Sequence, residues 1–588
     1  MGLLASTYRT YERNADLAGV KEADKQPLAP ISHIFANAQI EITLTREGAF
    51  TDARSVSKEE QKTIIPATIE SANRVGPGAK LCPHPLCDYL WFLAPSMNPQ
   101  GYEIYLNNLR AWAQSPFTHP AVHAVLKYVE GGSILKDLAE NPAIKTADKS
   151  FVRWRIVDAE RAESKGSYED ARLFRCFSDY YGTILANRPR KLCLLTGLED
   201  TECHAHPKGV FSFNGNAKLI SANDQSGFTY RGRFADEKQA GSVGYLASQK
   251  AHNALRWLVD NESRIIGGRA FLCWNPEGES RFATTLFGFK TQEKQDFQSY
   301  RKELRDTLNG YRDGLSGLNS HVVIAALDAA TTGRLSVTYY NELSGSDFLD
   351  RIQNWYESFC VETGVGTISP SLRQVVNCAC GTQQGDLLKT DDKVMRQQFQ
   401  SLLDCMVCGG PIPADISAAL VHRAGKPLAY SKANREYVLT AACAVVRKRH
   451  NDSKKKEEYF MALDEGNKDK SYLYGRLLAI AEQAERSTYP TGEDRETNAI
   501  RMQQVFSQRP AYAWGIIEQR LNPYYQKMTP GLRSYYKNMV GEILDSFDAK
   551  DKGLNLPLDD VYLLGYYHQR KAFFTKKEKN TDNNEEEK

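Results

Sequence analysis

The chain has 588 residues and a formal net charge of only +3, with 25% of residues charged, so any surface for nucleic acid is local. Hydrophobic residues make up 41%, enough for sizeable cores, and no run approaches the roughly 18 apolar residues of a membrane-spanning helix. The twelve cysteines have no framework spacing and the opening MGLLASTYRTYERN has no leader pattern, which together predict a cytoplasmic protein.

In chain order, residues 1–370 mix strand and helix signals and predict an α/β domain. AQIEITLT (38–45) and RLSVTYYNEL (334–343) alternate apolar and polar residues, as half-buried strands do. HVVIAALD (321–328) is a continuous apolar run, the pattern of a strand covered on both faces. VGYLASQKAHNALRWLVDN (243–261) places Leu246, His252, Leu255, Leu258 and Val259 at three- and four-residue steps, which predicts a helix. Residues 290–319 are polar and charged and read as a helix with a solvated face.

From about Ser371 the pattern turns helical, with a connecting region at 371–460 and a bundle at 461–588. SYLYGRLLAIAEQAE sets Leu473, Leu477, Ile480, Ala481 and Ala484 on one stripe. RPAYAWGIIEQRL has Pro510 where a first helical turn tolerates it. PGLRSYYKNMVGEILDSF spaces Leu532, Tyr536, Met539, Ile543 and Phe547 at helical intervals, and LPLDDVYLLGYYHQRKAFF offers Asp559 and Asp560 as N-terminal caps. Four such helices predict a bundle, so the fold class is α+β.

No assembled catalytic motif is present. RAGKPLA lacks the upstream glycine and the Ser/Thr of a phosphate-binding loop, and there is neither His-Glu-x-x-His nor a nucleophile elbow. CPHPLC (Cys82, His84, Cys87), CHAH (Cys203, His204, His206), Cys378/Cys380 and Cys405/Cys408 are the candidate metal ligands. FQSLLDCMVCGGPIP reads as a helix ending at Gly409, with Cys405 and Cys408 one turn apart on its buried side. The expectation is therefore a protein with no metal, no cofactor and no enzymatic activity. A Cys/His-based metal-dependent nuclease and a protein-only helical scaffold are the alternatives.

Basic and polar patches carry the positive signal. SANRVGPGAKL places Arg74 and Lys80 around glycines that let a backbone approach closely. FNGNAKLISANDQSGFTYRGRF gathers Asn214, Asn216, Lys218, Asn223, Gln225, Arg231 and Arg233 around two aromatics. PGLRSYYKNM adds Arg533 and Lys537, and YYHQRKAFFTKK interleaves aromatics with Arg570 and Lys571. Lysine and arginine neutralise phosphates, and Asn, Gln and Arg read base edges.

Several of these stretches carry a family likeness. GYYHQRKAFFTKKE, YYQKMTPGLRSYYKNMVGEIL, YLYGRLLAIAEQA, HPKGVFSFNGNAKLISANDQSGFTYRGRF and VGPGAKLCPHPLCDYLWFLA together resemble the large subunit of the type I-C CRISPR interference (Cascade) complex. The family segment after the asparagines reads closer to Phe-Glu-Ser-Tyr-Gly, where this chain has GFTYRGRF. Relatives lack a cysteine pair in the helix of Cys405 and Cys408. The resemblance implies a non-catalytic subunit of an RNA-guided surveillance complex. Its N-terminal half would recognise the motif flanking a target in double-stranded DNA, and its C-terminal bundle would support the displaced strand and so promote R-loop formation. Implied partners are the CRISPR guide RNA, the subunit holding its 5′ end, repeated backbone subunits, a small helical subunit and a helicase-nuclease recruited in trans.

The stretch SKKKEEYFMALDEGNKDK (453–470) predicts one feature more. Lys and Glu codons are AAR and GAR, so KKKEE is written in purines alone. Lys456–Glu457 can be AAGGAG, a ribosome-binding sequence, with three codons between it and Met461. The resemblance implies a small subunit made by internal initiation, which points to Met461 as the start of a second product of 128 residues (588 − 460).

Overall fold

The computed structural model describes residues 2–22, 25–74, 81–158, 163–203, 205–211, 217–220, 243–278, 286–287, 296–312, 315, 320–331, 333–363, 366–453, 458–548 and 553–574. The fold class is α+β, helix-rich towards the C-terminus. Two compact units form, one from Met1–Ile265, Arg269–Ala283 and His321–Glu342, the other from Ile266–Gly268, Thr284–Ser320 and Leu343–Lys588. The main division thus falls at Glu342/Leu343, and residues 371–460 share a unit with the last bundle.

In the first unit, β1 (His33–Asn37) pairs antiparallel with β4 (Lys62–Pro66). A four-stranded sheet runs β3 (Phe50–Ser55), β2 (Ile40–Thr45), β5 (Val152–Asp158), β6 (Glu163–Gly166), with β2 and β5 parallel. A parallel pair needs a crossover, and helices α3 (Pro99–Ala113) and α4 (Pro120–Glu130) lie in that connection, after the short α2 (Ile69–Asn73). Ile40, Ile42, Leu44, Val152 and Trp154 join Leu109, Trp112 and Val125 of these helices in one core with Phe177 of α5 (Ala171–Ala186).

A short hairpin of β7 (Arg190–Leu192) and β8 (Glu199–Thr201) precedes α6 (Tyr245–Glu262). The second sheet runs β12 (Arg334–Ser344), β11 (His321–Thr331), β10 (Arg269–Trp274), β9 (Arg264–Ile266). Its β11 is the expected covered strand, with Val322 to Leu327 fully buried. Leu255, Leu258 and Val259 of α6 and Leu3 of α1 (Leu3–Arg13) pack on one face. The predicted stripe of α6 holds for His252, Leu255, Leu258 and Val259, whereas Leu246 is exposed. The polar region at 290–319 contains the helix Phe297–Arg312, which buries Tyr300, Leu304 and Leu308.

In the second unit, α7 (Asp392–Cys408) ends at Gly409, whose φ of 71° is the left-handed conformation glycine tolerates. After α8 (Lys432–Asp452) come α9 (Lys470–Arg486), α10 (Asn498–Gln508), α11 (Pro510–Lys527), α12 (Pro530–Asp545) and α13 (Tyr562–Ala572), five helices among the described residues where the sequence suggests four. The central element is α9, buried from Ser471 to Glu482 and again at Ala484 and Glu485 rather than along one stripe. Its charged residues find partners. Arg476 donates to Gln569, Glu482 takes Tyr566, Arg486 and Arg570, and Glu485 takes Tyr489 and Asn498. Buried charge persists only on such terms.

Gly475 of α9 and Gly565 of α13 bring two backbones together. A Cβ added at Gly475 would lie 2.0 Å from the Tyr562 carbonyl oxygen, and one at Gly565 would lie 2.1 Å from the Tyr472 carbonyl oxygen. On α12 the buried face is Tyr536, Val540 and Ile543, and Leu532 is exposed. Asp559 and Asp560 do not cap α13, since Val561 holds that position without a side-chain bond and Asp560 pairs with Arg449 and His450.

Candidate nucleic-acid interface

The short α2 begins with a reciprocal cap, in which Thr68 Oγ1 accepts from Ser71 N–H and Ser71 Oγ accepts from Thr68 N–H. It ends at Arg74, whose backbone turns extended. The Arg74 side chain folds inward. Its Nη1 donates to Asp88 Oδ2 at 2.9 Å and to the Cys82 carbonyl at 2.9 Å, and Nη2 donates to Asp88 Oδ1. Phe92 and Tyr89 lie under the guanidinium at 5.0 and 5.3 Å. Asp88 also accepts from the His84 and Tyr89 backbone, so the CPHPLCDY loop is tied to the end of α2. The arginine that the sequence offers as a base reader is a buried anchor for that loop.

Lys218 arrives from far along the chain. Its backbone is held at the edge of β12, donating to Gly333 O and accepting from Leu335 N–H, and it bridges to Lys208. The Lys218 ammonium donates to Asn73 Oδ1 at 2.8 Å, and the Lys208 ammonium donates to the Arg74 carbonyl at 3.2 Å. Three cations, Arg74, Lys208 and Lys218, therefore converge on the end of α2. Arg74 has Asp88, but neither lysine has a carboxylate partner among the described residues. Partial burial lowers the pKa of both. Arg74 adds to this at Lys208, and Lys208 adds to it at Lys218. Burial, reinforced by Arg74 and Lys208, also holds His84 neutral, far below its usual titration range. A half-desolvated pair of lysines with no carboxylate among the described residues has the charge to attract an anion.

Lys208 is not among the residues singled out by sequence. Its signal is its place in the HPKG stretch, before the asparagine-rich run. Lys80, Asn214, Asn216, Asn223, Gln225, Arg231 and Arg233 lie outside the described residues.

The bundle candidates divide in two. Arg570 pairs with Glu436 and, at 3.4 Å, with Glu482, while Lys571 lies 3.9 Å from Glu436, so both serve the packing of α13 on α8. Arg533 is half-buried and donates to the Met528 carbonyl, whereas Lys537 is exposed above the Tyr525 ring at 5.5 Å. Lys527, over Tyr524 at 5.7 Å, and the exposed Tyr535 extend that patch on α11 and α12. Stacking rings among cations are what a single strand binds.

The cysteine clusters bring together no metal site among the described residues. Cys405 donates to the Pro411 carbonyl, and burial pushes its thiol up to about 11, so it resists the thiolate form that metals need. Cys408 is exposed, not buried, and donates to Asp404. Cys87 and Cys378 are pushed up to about 12, chiefly by burial. His206 is buried beside Ser248, with its Nδ1 2.8 Å from that hydroxyl, and His204 lies outside the described residues. No helix among the described residues is long and apolar enough to cross a membrane.

No curated protein matches the chain. A family model described as CRISPR-associated protein (Cas_Csd1) matches residues 7–574, nearly the whole length and both compact units. The chain with the lysine pair at the end of α2 belongs to the Csd1 family of CRISPR-associated proteins.

Proposed function

We propose that this chain is the large, non-catalytic subunit of a type I-C RNA-guided surveillance complex, recognising the motif that flanks a target in double-stranded DNA. The observation that carries the reading is the Lys208–Lys218 pair beside Asn73, with no carboxylate partner among the described residues, in a protein of a CRISPR-associated family. Lys208 and Lys218 would hold phosphate, while Lys80, Asn214, Asn216, Asn223, Gln225, Arg231 and Arg233 supply candidate base readers. Exchange of DNA pairing for guide pairing is nearly balanced, so a few contacts at the flanking motif decide whether an R-loop opens. Lys527, Arg533 and Lys537 would support the displaced strand. Partners in this reading are guide RNA, the guide-end subunit, repeated backbone subunits and a helicase-nuclease that does the cutting, all in the cytoplasm.

The test uses the assembled complex and a target duplex over a range of salt concentrations. Lys208→Gln and Lys218→Gln are each expected to weaken binding to all flanking sequences alike and to reduce the salt slope by roughly 1. Unchanged affinity and slope in the double variant would refute this placement of the phosphate contacts.

A second product starting at Met461 belongs to the same proposal. Supporting it, α9 and the four helices that make its main contacts, α10 to α13, lie within 461–588, although Tyr459 also touches Tyr472 of α9. Tyr459, just upstream, is held to α8 through Asn451 and Arg447. Expression of the native gene with a C-terminal tag is expected to give two bands, the smaller lost on silent recoding of Lys454–Glu458. A single full-length band from the native gene would refute the internal start.

A further inference from the structure

Asn73 and Lys208 also line a cavity of about 340 Å³ in the first unit, where α6 faces the β1–β4 ribbon. Side chains alternate along a strand, so β1 sets Phe35 and Asn37 on one face, and the register that pairs Asn37 with Lys62 puts Lys62 beside them. On α6, Gln249, Asn253, Arg256 and Asp260 recur at three- and four-residue steps and form one stripe. Of that stripe, all but Asp260 stand on the cavity wall.

The wall is positive. It carries Lys62, Lys208 and Arg256 and, among the described residues, no aspartate or glutamate. Lys62 and Arg256 share one oxygen of one carboxylate, Asp260 Oδ2, at 3.0 and 3.8 Å, the second beyond hydrogen-bond length. Both cations also lie over the Phe35 ring, at 5.0 and 4.4 Å, which keeps them beside the cavity. Burial lowers the Arg256 pKa against the pull of Asp260, the mark of a guanidinium short of counter-charge. Gln249 is only 7% exposed, and its amide has no hydrogen-bond partner among the described residues. That leaves an amide free to donate to and accept from whatever enters. Lys208 is tied to the end of α2, whereas Lys62 and Arg256 belong to the ribbon and α6, so the positive charge stands at two places. Lys218, held beside Lys208 through Asn73, is not on the wall, so the lysine pair reaches from outside the cavity to its lining. A volume at the lower end of small-ligand sites admits the units of a single strand and not a double helix.

We infer that a single nucleic-acid strand runs from the lysine pair into this cavity, with one phosphate on Lys208, another on the Lys62–Arg256 pair, and Gln249 against its polar groups. The inference rests on the proposed nucleic-acid role and adds to it a second phosphate contact, open to a single strand alone.

Fluorescence anisotropy of the full-length chain tests this, with labelled oligomers of dT and of U longer than the roughly 4–16 nucleotides of common single-strand sites. Lys62→Gln and Arg256→Gln are each expected to weaken binding roughly two- to fivefold and to reduce the salt slope by about 0.7. Asp260→Asn should act in the opposite sense and tighten binding, because it frees both cations, a sign that a merely structural role would not give. Lys25→Gln is the control. Lys25 lines a neighbouring cavity of about 530 Å³ whose wall also carries Glu59, Glu60 and Glu169, and it has its own partner in Glu22 at 2.9 Å. Its loss should leave the slope as in the parent. Thermal melting checks each variant, and Lys62→Gln, at an exposed position of β4, carries the test if Arg256→Gln fails to fold. Larger losses with the dT oligomer identify DNA as the strand, and larger losses with the U oligomer identify RNA. Parent-like binding by Lys62→Gln and Asp260→Asn, an equal loss with Lys25→Gln, or the same losses on a blunt duplex would each overturn the path. If Lys208→Gln also binds as the parent does, the nucleic-acid role itself falls.

Discussion

Gly475→Ala is expected to destabilise the second unit by about 3 kcal/mol or more, the upper end of what overpacking costs. The added methyl meets the Tyr562 carbonyl oxygen at 2.0 Å and the Tyr566 backbone nitrogen at 2.7 Å, and both are main-chain atoms of α13 that no rotamer change can move. Relief requires that α9 and α13 separate, which strips partners from Arg476 and Glu482 together. Gly565→Ala should act alike, because its methyl meets the Tyr472 carbonyl of α9. Gly515→Ala in α11 is the control. Nothing lies within 4 Å of its added methyl, and the gain in helix propensity should stabilise by up to about 1 kcal/mol. Hydrogen exchange across α9 and α13, with thermal melting of the full chain, reads all three. Equal melting temperatures for parent and Gly475→Ala would mean that the two helices have room to spare.

Arg74→Ala should cost about 3–5 kcal/mol of stability, because it leaves the Asp88 carboxylate buried without its cation. The Asp88 side chain is fully inaccessible and that of Arg74 nearly so. Arg74→Met paired with Asp88→Asn should recover most of the loss, since removing both charges removes the uncompensated one. Denaturant unfolding of the three variants measures the coupling. Were Arg74 a base reader, alanine would abolish motif preference and leave unfolding unchanged.

Strands with clean alternation or a continuous apolar run, and helices with clear periodicity, were legible in the sequence, because local pattern decides them: β2, β11, β12 and α6 lie where it predicts. The roles of charged residues were not legible. Arg74 sits among glycines and reads as exposed until Asp88, 14 residues on, turns out to fold back against it. Glu482 and Glu485 stand outside the apolar stripe that the sequence predicts for α9, and their partners Tyr566 and Asn498 come from other helices. Arg570 belongs to a basic run in sequence and to Glu436, 134 residues earlier, in space. The lysine pair escapes notice for the same reason, since Lys208 and Lys218 meet Asn73 and Arg74 only through the β12 edge and the end of α2.

The pairing of α9 with α13 also has a consequence in time. Tyr562 is synthesised 76 residues after Arg486 (562 − 486), which at roughly 5–20 residues per second takes roughly 4–15 s. Throughout that interval the central helix is outside its final environment, with its glycine notch open and Glu482 without Tyr566 and Arg570. A nascent chain in this state leaves exposed the part of α9 that α13 covers in the folded unit. Slow codons or a stalled ribosome between α9 and α13 would lengthen the exposure, so the tempo of translation across this stretch bears directly on the yield of native protein.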